Sequence, residues 1–198
     1  LRDLVAYHDM PVATLTYYLH SFMSEAISEA GCRVAISGNG ADELFTGYYD
    51  HYSFWLAEMK NKNSFTDLQS DWQKSYGAYV QNPVLQDPLV FFKNPLERGH
   101  IFLNSETFNA WLHDPFEETF EESEYSNNLL RNRMLNEIRH ETIPVILHED
   151  DRNSMYYSVE NRSPYLDREL AEFLFQIPPE LLIKNGYVKY LLRAAGTG

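Results

Sequence analysis

Val34-Ala35-Ile36-Ser37-Gly38-Asn39-Gly40-Ala41-Asp42-Glu43-Leu44-Phe45 is the stretch on which the fold turns. A short apolar run enters a loop of small residues, and the loop opens a helix with two carboxylates in its first turn. The run predicts a strand over residues 33–37, apolar on both faces and therefore buried on both, as in a parallel sheet. Such a loop presents unpaired backbone N–H groups and the positive end of a helix dipole to an anion. Asp42 and Glu43 would repel a bare phosphate at a few ångströms. They make sense with a divalent cation such as Mg²⁺ between carboxylate and phosphate. Neighbouring helix positions point apart, so at most one of the two is the direct ligand. On this segment alone the plainer reading stays open, in which both acids only stabilise the helix N-terminus.

Upstream, Leu15, Tyr18, Leu19, Phe22, Met23, Ala26 and Ile27 recur at the spacing of an amphipathic helix over residues 12–30. Pro11 suits its first turn and Gly31 its C-cap. Downstream, a helical pattern continues through Tyr48, Tyr52, Trp55 and Met59, weakened at Gly47. Further helices are predicted over 65–80, 115–140, 143–160, 167–176 and 188–195, with a proline-broken loop over 82–99. One clear strand among many helices is half of an α/β unit. A single strand makes no sheet, so the remaining strands are expected before residue 1.

The 198 residues carry 16 basic and 29 acidic side chains, a net charge of −13. Such a field repels polyphosphate backbones and anionic membrane surfaces, which argues against nucleic-acid and membrane partners. Cys32 is the single cysteine, which excludes an intrachain disulfide and fits a cytoplasmic protein. It reads as an inert small hydrophobe, and the sequon Asn161-Arg162-Ser163 as idle. The seven histidines are scattered without the spacing of a zinc helix, and His148-Glu149-Asp150 point apart on any helix, so they read as structural.

A second constellation runs from Asp150-Asp151-Arg152-Asn153-Ser154-Met155 to Glu160-Asn161-Arg162-Ser163-Pro164-Tyr165-Leu166-Asp167. Its charges alternate in sign. Solvated, they form a polar face; partly buried, they would form an ion-pair network in which Glu160 holds a perturbed pKa and acts as a base.

Ser37-Gly38-Asn39-Gly40-Ala41-Asp42-Glu43-Leu44-Phe45-Thr46-Gly47-Tyr48 resembles the SGxGADELFxGY segment of glutamine-hydrolysing asparagine synthetases. The downstream stretch is similar to that family's DRxSM…ExRxPfLD, and Lys189-Tyr190-Leu191-Leu192-Arg193 to its KxxLR. The resemblance implies an ATP-pyrophosphatase fold, an α/β parallel sheet flanked by helices, of which residues 1–198 form a later, predominantly helical part. It implies adenylation of a carboxylate, aspartate first, with ATP and Mg²⁺, followed by attack of ammonia from glutamine to give asparagine, AMP and pyrophosphate. By the same resemblance Ser37, Gly38 and Gly40 contact ATP or the intermediate, Glu43 helps hold it, Asp42 is the Mg²⁺ ligand, and Glu160 belongs to a catalytic dyad. The family's N-terminal glutaminase domain and its SGGxDS pyrophosphate loop are expected outside these residues, and a homodimer is possible for such a protein.

One departure touches the chemistry. The family usually has glutamate where this chain has Asn39, and an amide cannot accept a proton as a carboxylate does, although it still hydrogen-bonds ammonia or an acyl oxygen. Asn39 therefore directs attention to relatives that amidate other carboxylates, such as sugar acids of surface polysaccharides. It also keeps a non-catalytic binding module in view.

Overall fold

The computed structural model describes residues 1–101, 105–115 and 120–197. The helices are α1 (Arg2–His8), α2 (Leu15–Glu29), α3 (Ala41–Phe45), α4 (Tyr49–Glu58), α5 (Phe65–Ser75), α6 (Val90–Lys93), α7 (Ser105–Asn109), α8 (Leu129–Arg139), α9 (Thr142–Tyr156), α10 (Arg168–Gln176) and α11 (Tyr190–Ala195). Strands β1 (Val34–Ile36) and β2 (Glu160–Arg162) pair in parallel, with Val34 opposite Glu160, Ala35 opposite Asn161 and Ile36 opposite Arg162. The chain divides into two compact units, Leu1–Leu44 with Glu137–Gln176, and Phe45–Asn136 with Ile177–Gly198.

The first unit holds the sheet. The second strand corrects the expectation of a single one, and it corrects the helix predicted over 143–160, which ends at Tyr156. Ser158 at φ 57° turns the chain out of the helix, and the Val159 N–H returns to Ser154 O at 2.9 Å. The Glu160 N–H then bonds Arg33 O at 2.9 Å, and the Ser37 N–H bonds Arg162 O at 2.8 Å. The polar triplet Glu160-Asn161-Arg162 carries no strand signal of its own; the pairing comes from tertiary context.

Helix α2 packs on α9 through an unexpected face. Ser21 and Ser24 are buried, whereas Leu15, Leu19, Phe22 and Met23 of its apolar stripe are exposed. The serine hydroxyls return to their own helix, at Tyr18 O and His20 O, so the small side chains stay satisfied while the helices approach. Asn153 of α9 donates to Tyr17 O at 2.8 Å, and Ser28 of α2 donates to Tyr157 O at 2.8 Å. Gly31 at φ 79° ends α2 as expected, with the Cys32 N–H on Ile27 O at 3.1 Å. Cys32 itself is exposed, not packed as a hydrophobe. In β1 only Ala35 is half-buried, and Val34 and Ile36 are exposed, against the expectation of burial on both faces. Among the described residues the sheet has two strands, so one edge of β1 is unpaired.

The second unit is helical. Eight consecutive residues of α4, Asp50 to Ala57, are buried, and Phe54 stacks on Phe91 with ring centroids 3.6 Å apart. Burial pushes the Asp50 carboxyl up, but the His100 hydrogen bond and the charges of His51, His100 and Arg133 outweigh it and hold it at about 2. The helix expected over 115–140 begins only at Leu129, and residues 116–119 of that span lie outside the described residues. Asn132 Oδ1 accepts the N–H groups of Tyr125 and Ser126, and Asn136 brackets Ser123 through its N–H and carbonyl. These amides satisfy an irregular backbone that would otherwise need helical bonds, and Asn128 caps α8 through the Arg131 N–H at 2.8 Å. Thr46 at φ 63° separates α3 from α4 next to Gly47. The helix expected over 65–80 ends at Ser75 before a 3₁₀ turn, and the loop over 82–99 contains the single turn of α6.

Gly40 fixes the loop after β1. It sits at φ 90°, and a Cβ there would clash with Leu166 Cδ2. Gly40→Ala is expected to destabilise the protein by about 1–3 kcal/mol, through a strained φ and displacement of Leu166. Urea unfolding measures it as a lower midpoint at unchanged slope.

Candidate functional site

The loop after β1 and the residues after β2 lie side by side because their strands are paired. Ser37 Oγ and Ser163 Oγ are 2.9 Å apart, joining the two strand exits. Ser37, Gly38 and Asn39 line a cavity of about 330 Å³, with His20, Met23 and Ile27 from α2, Asp150 and Ser154 from α9, and Asn161 from β2. That volume lies in the small-molecule range. Its apolar wall is the part of the α2 stripe formed by Met23 and Ile27, together with Val159.

Three polar side chains meet in it. Asn39 Nδ2 donates to Asp150 Oδ2 at 2.8 Å, and His20 Nδ1 lies 2.8 Å from Asp150 Oδ1. A carboxylate only accepts, so the amide must turn its NH₂, and the imidazole its Nδ1–H, toward Asp150. The Asp150 side chain is 9% exposed and that of His20 is 36% exposed, so the pair spans from the protein interior to the cavity. Asn161 Oδ1 is buried without a hydrogen-bond partner.

The other expected site residues fall into distinct surroundings. Asp42 is half-buried in the first turn of α3, whereas Glu43 is buried, at 1% exposure. Of the two, Asp42 is the more exposed carboxylate. Gly38 is exposed with open space around its Cα, while Gly40 is buried against Leu166. Gly40 thus supplies a backbone conformation that L side chains rarely adopt. Glu160 is exposed and pairs with Arg162 at 2.8 Å, and the Arg162 hydrogen bond holds its carboxyl below the usual range. A base with a raised pKa is therefore not what Glu160 presents.

The charges of the second constellation do not form one network. Arg152 donates to His8 O at 2.9 Å, Asp167 Oδ1 accepts the Leu170 N–H at 3.0 Å, and Asp151 is exposed. His148, Glu149 and Asp150 do point apart: His148 contacts Met10, Glu149 faces His8, and Asp150 holds Asn39 and His20. Burial raises the Tyr17 pKa, and the charges of Asp150, Glu149 and Glu43 raise it further. His20 and Asp150 escaped sequence reasoning because their meeting depends on how α2 packs on α9, across a separation of 130 residues. Their only signal was the acid-rich run before Arg152.

A family model described as asparagine synthase matches residues 1–198. The chain belongs to the asparagine synthase family. It is 31% identical over 83% of its length to asparagine synthetase [glutamine-hydrolyzing] 1 of Bacillus subtilis, covering 28% of that protein. It is also 21% identical to the amidase chry2 of Gibberella zeae and 24% identical to the amidase chyE of Penicillium rubens, over 98% of this chain and 34% of each relative. The chain thus spans about a third of the length of the curated relatives it matches. No solved structure matches it. No described helix is long and apolar enough to cross a membrane.

In this asparagine synthase family chain, Arg152 of α9 ties down α1 at His8 O, and the His8 ring is buried beside Glu149. His8 Nδ1 lies 3.6 Å from Glu149 Oε2, both side chains being almost fully buried. Burial lowers the His8 pKa; Glu149 opposes that, while Arg152 and His148 add to it. A histidine kept neutral when folded loses stability as pH falls, because the unfolded chain takes up a proton near 6.5 that the folded chain refuses until lower pH. Stability should therefore be full above that value and decline below it. His8→Asn is expected to flatten the decline, read as the difference in urea midpoints between pH 7.5 and pH 5.5.

Proposed function

We propose that this chain is the later part of a synthetase domain that spends ATP to join ammonia to a carboxylate. The carboxylate attacks the α-phosphorus of ATP, releasing pyrophosphate, and the acyl-adenylate then reacts with ammonia to give an amide and AMP. The observation that carries this reading is the Ser37–Asp42 loop at the carboxyl end of a parallel strand, beside Ser163 and facing the cavity. That is where open α/β sheets bind ligands.

Within that reading Ser37, Gly38 and the Gly40 turn shape the nucleotide contact. Glu43, fixed by burial, supports the loop that holds the intermediate. Asp42 is the residue that would hold Mg²⁺, whose charge offsets that of the pyrophosphate. Glu160, held as a carboxylate by Arg162, suits stabilising charge in the intermediate better than accepting a proton. Ammonia would come from glutamine hydrolysed by a separate glutaminase domain of the full-length protein, which we place in the cytoplasm and which can assemble as a homodimer.

Aspartate is the first acceptor to test, as the Bacillus subtilis relative supports. Asn39 favours a second acceptor, since its amide replaces the glutamate usual in the resembling segment and is held by Asp150. A sugar acid is the natural candidate, and the two amidase relatives are consistent with a scaffold not tied to one amide.

Full-length protein is expected to catalyse carboxylate-dependent exchange of labelled pyrophosphate into ATP, with aspartate or with a uronic acid. Exchange with neither would refute the ligase reading; exchange only with the uronic acid would refute asparagine synthesis. Asp42→Asn is expected to lower Mg²⁺-dependent exchange by on the order of 10²-fold. Unchanged exchange would remove Asp42 from the metal site.

A further inference from the structure

We propose that His20, oriented by Asp150, is the base that takes a proton from the amine nucleophile in the cavity between α2, α9 and the β1 loop. The inference rests on the ligase reading above and assigns its second half-reaction to named atoms.

Asp150 accepts from His20 Nδ1 at 2.8 Å, which places the ring proton on Nδ1 and leaves the lone pair on Nε2. A carboxylate behind the ring also stabilises the imidazolium that forms when Nε2 takes up a proton, the logic by which a buried aspartate supports a histidine base. His20 is partly exposed and lines the cavity, so this base has access to a ligand, unlike His8.

The cavity also offers acceptors to a ligand. Asn39 gives one N–H to Asp150, and its carbonyl oxygen remains as an acceptor. That amide oxygen and the imidazole lone pair together match a ligand that brings more than one N–H bond. Asp150, which lines the cavity, favours a cation such as ammonium over an anion beside it. Asn39 cannot serve as base here, and the Arg162 pair holds Glu160 below the usual carboxylate range. His20, with its Nε2 lone pair, is the cavity-lining group placed to accept a proton.

His20 Nε2 takes one proton from bound ammonium, and the lone pair this frees on nitrogen forms the C–N bond with the acyl carbon. The bond from that carbon to the adenylate oxygen breaks, and AMP leaves with the electron pair. A second proton leaves the nitrogen for solvent as the amide forms, and His20 passes its own proton on to solvent. Asp150 is a positioning residue that never touches the reacting atoms.

The test separates the two half-reactions in full-length protein. His20→Asn keeps a donor near the Nδ1 position for Asp150 but supplies no base. Amide formation from ammonium is expected to fall by on the order of 10²-fold more than pyrophosphate–ATP exchange. Hydroxylamine is unprotonated at neutral pH, so acyl hydroxamate formation by the variant should stay within a few-fold of wild type. Asp150→Asn should lower amide formation and shift the basic group in its pH–rate profile downward, because the imidazolium loses its carboxylate. Amide formation within about twofold of wild type in His20→Asn would overturn the proposal, as would equal loss of exchange, amide and hydroxamate, which marks a structural role. Absence of exchange in the wild-type protein would instead overturn the ligase reading itself.

Discussion

The candidate site depends on three parallel residue pairs. Val34, Ala35 and Ile36 meet Glu160, Asn161 and Arg162, and this register puts the Ser37 loop beside Ser163 across a separation of 126 residues. Two three-residue strands are far too little to stand alone in water. Beside them α2 is seated on α9, the helix that leads into β2, with Ser21 and Ser24 buried and Asn153 and Ser28 tying the two helices. A slip of one residue would turn Asn161 from the cavity and separate the two serines, so register and site are one constraint.

That constraint explains why the sequence shows some parts and hides others. The β1 run, the turn at Gly40, the two acids of α3 and the cap at Gly31 are local features, and local reasoning finds them. Strand β2 is polar and short; nothing in Glu160-Asn161-Arg162 signals a strand until its partner is present. The α2 stripe at helical spacing pointed to the wrong buried face, because small serines allow closer packing than the large apolar residues do. The irregular segment before α8 is held by Asn132 and Asn136, whose amides replace helical bonds. In the site, the loop residues were legible from the motif, whereas His20 and Asp150 were not, since each is ordinary in its own neighbourhood.

The electrostatics of the first unit have a consistent direction. Glu43, Glu149 and Asp150 gather near Tyr17, Asp42 opens toward solvent, and the sequence as a whole is strongly acidic. Under the proposed function, acids so close together need a cation to bring the polyphosphate in, and they attract an ammonium nucleophile. Asn39 fits this balance: a further carboxylate beside Asp150 would place like charges in contact, whereas the amide donates to Asp150 and leaves an acceptor for the ligand. Glu160, out at the strand edge with Arg162, stands apart from that cluster.

The central claim is that a carboxylate is activated as its acyl-adenylate, and the fate of one oxygen atom tests it directly. Full-length protein turned over with ATP, ammonium and an acceptor whose carboxylate carries oxygen-18 should place one labelled oxygen in AMP, because the bond broken in the second step leaves that oxygen on phosphorus. Mass spectrometry of AMP reads the outcome. Amide product accompanied by unlabelled AMP, or by label in released phosphate with ADP as the nucleotide product, would contradict the account.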